Sequence, residues 1–77
     1  GCSPTVYNAG NEVAVQAFLE GRVGFLEITD IVEEGMDRVG THELRDIDDV
    51  IAADEAARAV ASEVATKFER SRMGMNT

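Results

Sequence analysis

Hydrophobic residues recur every three or four positions along three segments of this chain, and short glycine-containing stretches separate the segments. This spacing is typical of the apolar stripe of an amphipathic helix. It predicts three main helices, at about residues 4–20, 26–39 and 48–70. No segment shows the alternating pattern of a strand. The sequence therefore predicts an all-α fold, a small bundle of the three helices.

The ends of the predicted helices carry the residues that usually stand there. Pro4 suits a first helical position because it lacks the N–H that would stay unpaired. Gly21 and Gly40 can adopt the left-handed conformation that ends a helix. Asp46, followed three residues later by Asp49, predicts a cap at the start of the third helix.

Each predicted helix has one apolar side, which we expect to form the core. The three stripes are Val6, Gly10, Val13, Ala14 and Ala17; Ile28, Ile31, Val32, Gly35, Met36 and Val39; and Val50, Ala53, Ala57, Val60, Ala61, Val64 and Phe68. Val23 and Phe25, in the first connector, are expected to pack back against this core. Glu63 and Lys67 have the spacing of an i,i+4 ion pair.

The first helix has an unusual second side. Opposite its core stripe it collects Asn8, Asn11, Glu12, Val15 and Leu19, which we call the docking face. Each asparagine disfavours a helix by several tenths of a kcal/mol relative to alanine, so groups outside the helix must compensate. Buried polar groups need partners whether or not chemistry occurs beside them, which favours a structural role over contact with a ligand.

Charge and composition exclude several classes of partner. Asp and Glu number 15 against seven Lys and Arg, a net charge of −8. This charge opposes binding to nucleic-acid phosphates and to anionic lipid. No uncharged run approaches the roughly 20 apolar residues of a membrane span. The single cysteine, Cys2, cannot form a disulfide within the chain, which fits a reducing compartment.

Catalytic motifs are absent from the sequence. It has neither a glycine-rich strand-to-helix turn nor a phosphate-binding lysine motif. His42 is interpreted as a solvated loop residue, because a metal site usually needs three or four converging ligands. Neighbours on a helix diverge by about 100°, so neither Glu33–Glu34 nor Asp48–Asp49 can easily face a common substrate. Glu33 and Glu34 are therefore interpreted as solvated, and Asp48 and Asp49 as capping groups. A small metal-dependent hydrolase built on these acidic pairs is the weakest hypothesis.

Two stretches resemble a known family. PTVYNAGNEVAV at residues 4–15, continued by AFL at 17–19 and GF at 24–25, is similar to the start of the C-terminal helical domain of 1-deoxy-D-xylulose 5-phosphate (DXP) reductoisomerases. DDVIAADEAAR at residues 48–58 resembles the last helix of that domain. The resemblance covers the chain to about Phe68. One departure is Gly10, where the family usually has alanine.

The resemblance implies that residues 1–70 are the C-terminal helical domain of a larger reductoisomerase and residues 71–77 a disordered tail. Members are NADPH-dependent homodimers of the bacterial cytoplasm that require Mg²⁺ or Mn²⁺ and form 2-C-methyl-D-erythritol 4-phosphate, in non-mevalonate isoprenoid synthesis. Their nucleotide-binding and catalytic domains precede the segment present here. The resemblance therefore implies that this chain holds no catalytic, cofactor-binding or metal-binding residue and is inactive alone.

Two hypotheses for the docking face follow. In the first, the face holds this segment against the preceding catalytic domain of the same chain. In the second, the chain is a free-standing acidic helical module that binds a basic or helical protein. The reading frame upstream of Gly1 would distinguish them, because only the first requires a nucleotide-binding segment there.

Overall fold

The computed structural model describes residues 4–40 and 44–72, and these form a bundle of three helices. Helix α1 runs over Pro4–Leu19, α2 over Phe25–Val39 and α3 over Ile47–Arg72. The described ranges contain no strand, and the predicted all-α bundle is confirmed. Each helix packs against the other two. The chain reverses between α1 and α2 and again before α3, so α3 lies alongside α1 in the same direction.

The turn from α1 to α2 is set by two glycines. Gly21 has a φ of +77°, and the Gly21 and Arg22 N–H groups donate to the carbonyls of Phe18 and Ala17, both at 2.9 Å. This pattern is a Schellman motif, which satisfies carbonyls left unpaired at a helix end. The Gly24 N–H then donates to Glu27 Oε1 at 2.7 Å, which is half of a capping box.

The other two helix ends follow the predicted residues. Gly40 has a φ of +76°, and its N–H donates to the Met36 carbonyl at the end of α2. At the start of α3, Asp46 Oδ1 accepts a hydrogen bond from the Asp49 N–H at 2.9 Å. Asp49 Oδ2 in turn accepts from the Arg45 N–H at 3.0 Å. The predicted cap is confirmed, and Asp49 closes it from both sides.

The core consists of two clusters. The larger one lies near the α1–α2 turn and the smaller one at the opposite end of the bundle. Their buried members are Ala14, Ala17, Val23, Ile31, Val32, Ala61, Val64 and Ala65 in the first, and Val6, Ala9, Ala53 and Ala57 in the second. Many of these residues are alanines, which allow the helices to approach closely. Ala9 and Ala65 were not predicted, because small side chains beside a stripe become buried only when the neighbouring helix comes this near.

Two predicted side-chain contacts are wrong. Phe25 does not pack into the core with Val23; it is the first residue of α2 and is 69% exposed. Its ring instead meets Phe18 edge to face, with ring centroids 5.8 Å apart. The predicted Glu63–Lys67 pair does not form. Both side chains instead pair with residues of α2, across the interface between α2 and α3.

Those interface contacts surround one carboxylate of α2. Glu34 pairs with Arg38 at 2.8 Å and with Lys67 Nζ at 3.2 Å, and Arg38 also reaches Glu63 at 3.2 Å. Glu34 is therefore half-buried and paired, whereas the sequence had suggested a solvated group. The hydrogen bond from Lys67, followed by the charges of Lys67 and Arg38, holds the pKa of Glu34 below its ordinary value despite some desolvation.

Helix α3 is longer than predicted. It continues without a break past Asp54 and ends two residues beyond the expected Arg70, at Arg72. Ser71 thus belongs to the helix, and the remainder of the expected tail, residues 73–77, lies outside the described residues, as do Cys2 and His42. Within the described part of the chain, the helices are too short or too polar to cross a membrane.

Candidate docking surface

The five residues of the docking face lie together on the side of α1 that points away from the core. Asn8, Glu12 and Leu19 are exposed, and Asn11 and Val15 are half-buried. Leu19 keeps 70% of its surface accessible. The bundle itself therefore leaves much of this face uncovered, although the same helix buries its other side completely at several positions.

Further apolar side chains lie exposed beside the docking face. Phe18 is 37% exposed and Leu26 is 82% exposed, next to the exposed Leu19 and Phe25 along the chain. Helical spacing places Phe18 only at the margin of the apolar stripe of α1. Phe18 and Leu19 are two bulky residues in succession. Neighbours on a helix point about 100° apart, so they cannot both enter one narrow stripe, and this pattern could have predicted their exposure.

Glu12 is tied to α3 through an arginine. Arg58 donates from Nη2 to Glu12 Oε1 at 3.0 Å and from Nε to Asp54 Oδ2 at 2.9 Å. The hydrogen bond to Asp54, followed by that to Glu12, raises the pKa of Arg58. Because all three side chains are substantially exposed, water screens their charges and the ion-pair cluster contributes little to stability. It fixes the direction of the Glu12 carboxylate more than it stabilises the fold.

A second arginine joins the α1–α2 turn to the end of α3. Arg22 donates from Nε to Glu69 Oε1 at 2.9 Å and from Nη2 to Thr66 Oγ1 at 3.2 Å, and it lies 3.5 Å from Glu20 Oε1. The hydrogen bond to Glu69 is the main cause of the raised pKa of Arg22. Sequence reasoning missed this contact, because Arg22 and Glu69 are 47 positions apart and only the packing of α1 on α3 brings them together.

Between these two arginines lies an open groove of about 580 Å³, which runs along α1 beside α3. Its lining is mixed, with apolar side chains between the two charged ends. The residues around it are Asn11, Glu12, Val13, Val15, Gln16, Ala17, Glu20, Arg22 and Arg58. Three of them, Asn11, Glu12 and Val15, also belong to the docking face. The groove and the docking face are thus adjoining parts of one surface.

This surface has the composition of a binding site for another protein surface. Amide groups can both donate and accept hydrogen bonds, and the apolar side chains gain free energy when they leave water. Across residues 4–40 and 44–72, no group of three or more His, Cys, Asp or Glu side chains could hold a metal ion.

Comparison with protein families gives one clear match. The model of the DXP reductoisomerase C-terminal domain matches residues 1–60 of this chain. This range contains all five residues of the docking face and both arginines at the ends of the groove. The matched range ends within α3.

Comparison with curated proteins gives relatives among the 1-deoxy-D-xylulose 5-phosphate reductoisomerases. A 1-deoxy-D-xylulose 5-phosphate reductoisomerase of Rhodospirillum centenum is 51% identical over 72 residues, 94% of this chain and 18% of its own length. Enzymes of the same name are 42% identical over 69 residues in Trichlorobacter lovleyi, which covers 90% of this chain, and 44% identical over 70 residues in Pseudomonas syringae pv. tomato, which covers 91%. Each match spans 18% of the relative. No solved structure matches this chain.

Proposed function

Because this chain belongs to the DXP reductoisomerase C-terminal domain family, we propose that it docks onto the catalytic domain of such an enzyme and braces it. One observation carries the proposal. The side of α1 opposite the core is uncovered in the bundle, yet it presents apolar and amide groups instead of charges alone. A helix of this kind has a further neighbour besides α2 and α3.

The free energy available from docking is considerable. Val15 and Leu19 are one helical turn apart and point the same way. Burying a side chain of this size contributes about 1.5–3 kcal/mol when it starts fully exposed, and Leu19 starts at 70%. The Asn8 and Asn11 amides can pair with backbone groups of the covering domain, which offsets their low helix propensity.

The proposal extends to the whole enzyme that such a segment serves. That enzyme converts DXP to 2-C-methyl-D-erythritol 4-phosphate with NADPH and Mg²⁺ or Mn²⁺, as a homodimer in the bacterial cytoplasm. This segment supplies no reacting group and is inactive alone. Its described residues do not fit either cofactor, since they offer no three-ligand cluster and no strand from which a dinucleotide loop could start. The segment acts by holding the catalytic domain in position.

A segment exchange tests the bracing role. The 72 residues of the Rhodospirillum centenum enzyme that align with this chain are replaced with it, and Leu19→Ser is compared with Ile47→Ser. Leu19 and Ile47 are a matched pair, because each is 70% exposed in the bundle. We expect Leu19→Ser alone to lower the thermal unfolding midpoint of the whole enzyme, with turnover per folded dimer retained.

Two results would count against bracing. Loss of turnover on changing Asn11 and Glu12 to alanine, in a stable and normally assembled dimer, would give the face a role in the reaction. Equal unfolding midpoints for the Leu19 and Ile47 variants would instead fit the free-standing interaction module, which has no need to dock on its own enzyme.

A further inference from the structure

We infer that the groove between α1 and α3 receives a basic amphipathic helix, one that places an apolar side chain between two Lys or Arg residues. The inference deepens the proposed function and rests on it in part, because Asn11, Glu12 and Val15 belong both to the groove and to the docking face. It names the chemistry of the partner, which the proposed function leaves open.

The middle of the groove is apolar. Ala17 is buried, and Val13 and Val15 are half-buried along its length. A volume of about 580 Å³ accommodates the side chains of one helical face, and the groove is open along one side, as a site for another polypeptide requires. An apolar anchor in the middle of the partner matches this region.

The first end of the groove carries an excess negative charge. Arg58 is paired with two carboxylates, Asp54 at 2.9 Å and Glu12 at 3.0 Å. The cluster therefore has one negative charge more than positive. Each ionised carboxylate has about four lone-pair sites, so Glu12 can accept another donor without leaving Arg58. A cation is attracted here.

The second end repeats the arrangement. Arg22 lies 2.9 Å from Glu69 and 3.5 Å from Glu20, which again leaves one carboxylate in excess. Gln16 donates to the other oxygen of Glu20 at 3.2 Å and helps to hold it in place. A phosphate or an acidic peptide would have to displace a carboxylate from its arginine at either end. The groove therefore selects a basic partner.

The distance between the ends sets the spacing of the two basic residues. Glu12 and Glu20 are eight positions apart on α1, which corresponds to about 12 Å at 1.5 Å per residue. Basic residues seven positions apart on a partner helix span about 10.5 Å, and a leucine four positions after the first lies on the same face.

A second copy of this chain is a poor occupant, because both molecules carry a charge of −8.

A designed peptide is a direct probe of this inference. The peptide is an alanine-based helix with Lys at positions i and i+7 and Leu at i+4, and its partner peptide has Glu in place of both lysines. Each is titrated into the ¹⁵N-labelled 77-residue chain at low salt. We expect the lysine peptide to shift the backbone amide signals of Asn11, Val15, Gln16 and Arg58, and the glutamate peptide to leave them in place.

Paired variants separate local contacts from overall charge. Glu12→Gln with Glu20→Gln removes two charges at the groove, whereas Glu33→Gln with Asp37→Asn removes two from exposed positions on the outer side of α2. Exposed ion pairs contribute about 0.2–1 kcal/mol each, so the groove variant should bind the lysine peptide about two- to thirtyfold more weakly. The control variant should bind it nearly as tightly as the unchanged chain.

Three outcomes would overturn the inference. Equal binding of the two peptides would show that charge does not select the partner. If the two double variants weakened binding of the lysine peptide equally, the effect would come from the net charge of the chain and not from the groove. Shifts of the groove signals on raising the concentration of the chain alone would make a second copy the occupant. Each of these results leaves the segment-exchange experiment unaffected, so the docking function would stand or fall separately.

Discussion

Helices α1 and α2 have similar lengths but differ in the sides that they turn away from the core. The outer side of α2 carries charged residues such as Asp30, Glu33 and Asp37, which are exposed. The outer side of α1 carries Val15 and Leu19 with two amides. The charged outer side of α2 suits a helix whose remaining surface faces water. The outer side of α1 suits a helix with a further neighbour in addition to α2 and α3, as the proposed docking requires.

The largest expected effect belongs to the buried side of α2. Ile31 is fully buried in the larger core cluster. We expect Ile31→Ala to lower the free energy of unfolding by about 2–5 kcal/mol, from lost transfer energy and the cavity that remains. Urea unfolding followed by circular dichroism measures it. A loss below about 1 kcal/mol would mean that this cluster is not the core of the chain.

Glycine substitutions sharpen the comparison within α1. Gly10 lies in the helix interior, and a Cβ built there meets no heavy atom within 4 Å apart from the neighbouring backbone of its own helix. The close packing that could justify a glycine is thus missing. Gly10→Ala should raise the free energy of unfolding by about 0.5–1 kcal/mol. Gly21→Ala is the contrasting change and should lower it by about 1–2 kcal/mol, because φ is +77° there.

If Gly10→Ala stabilised the chain, the fold would have room for a side chain with a higher helix propensity than glycine at this position of α1. Thermal unfolding of the isolated chain gives the sign directly. If Gly10→Ala destabilised the isolated chain, the space around Gly10 would have to be filled, contrary to the structure.

The paired carboxylate on α2 predicts a smaller effect that depends on pH. The pKa of Glu34 is lowered by the hydrogen bond from Lys67, so the pairing stabilises the fold above pH 4.5, the ordinary value of this group. That contribution is lost as the pH falls below 4.5 and through the lowered pKa, because protonation removes the charge. Glu34→Gln should flatten this part of the stability profile. The neighbouring Glu33→Gln is the control.

Urea midpoints between pH 6 and pH 3 test this prediction. The unchanged chain and the Glu33 variant should lose stability in parallel over this range, and the Glu34 variant should lose less. Parallel curves for all three proteins would mean that the ion pairs between α2 and α3 do not persist in solution.

Much of the fold follows from local sequence signals. Helical periodicity, Gly21, Gly40 and the Asp46–Asp49 cap placed all three helices to within two residues at each end. These features depend on residues at most a few positions apart, so the sequence alone suffices. The prediction for Phe25 was wrong because a residue at the first turn of a helix can point either inward or outward. The packing of the neighbouring helix determines which direction it takes.

The candidate site was predictable only in part. Helical geometry placed the docking face on one side of α1, because all five residues belong to one helix. The groove required knowledge of the packing of α1 on α3, since Glu12 and Arg58 are 46 positions apart. The same holds for Glu34 and Lys67, whose pairing replaced the expected contact within α3. Contacts between helices depend on their crossing, which the spacing along one helix does not determine.

The smallest effect on the isolated chain is expected at the outer side of α1. Leu19→Ala should change the free energy of unfolding by no more than about 0.5 kcal/mol, as is usual for exposed positions. Urea unfolding of the isolated chain tests it beside the Ile31 variant. A loss of 2 kcal/mol or more would show that Leu19 is part of the core and that α1 has no free side.

Cysteine labelling tests most directly whether the docking face is covered in the whole enzyme. Leu19→Cys and Glu33→Cys are prepared in a Cys2→Ser background, both in the isolated chain and in the exchanged Rhodospirillum centenum enzyme. Mass spectrometry of the modified peptides gives the rate at which each thiol is alkylated. We predict that residue 19 reacts at least tenfold more slowly in the enzyme than in the isolated chain, while residue 33 reacts equally in both. Equal rates at residue 19 in the two proteins would contradict docking through this face.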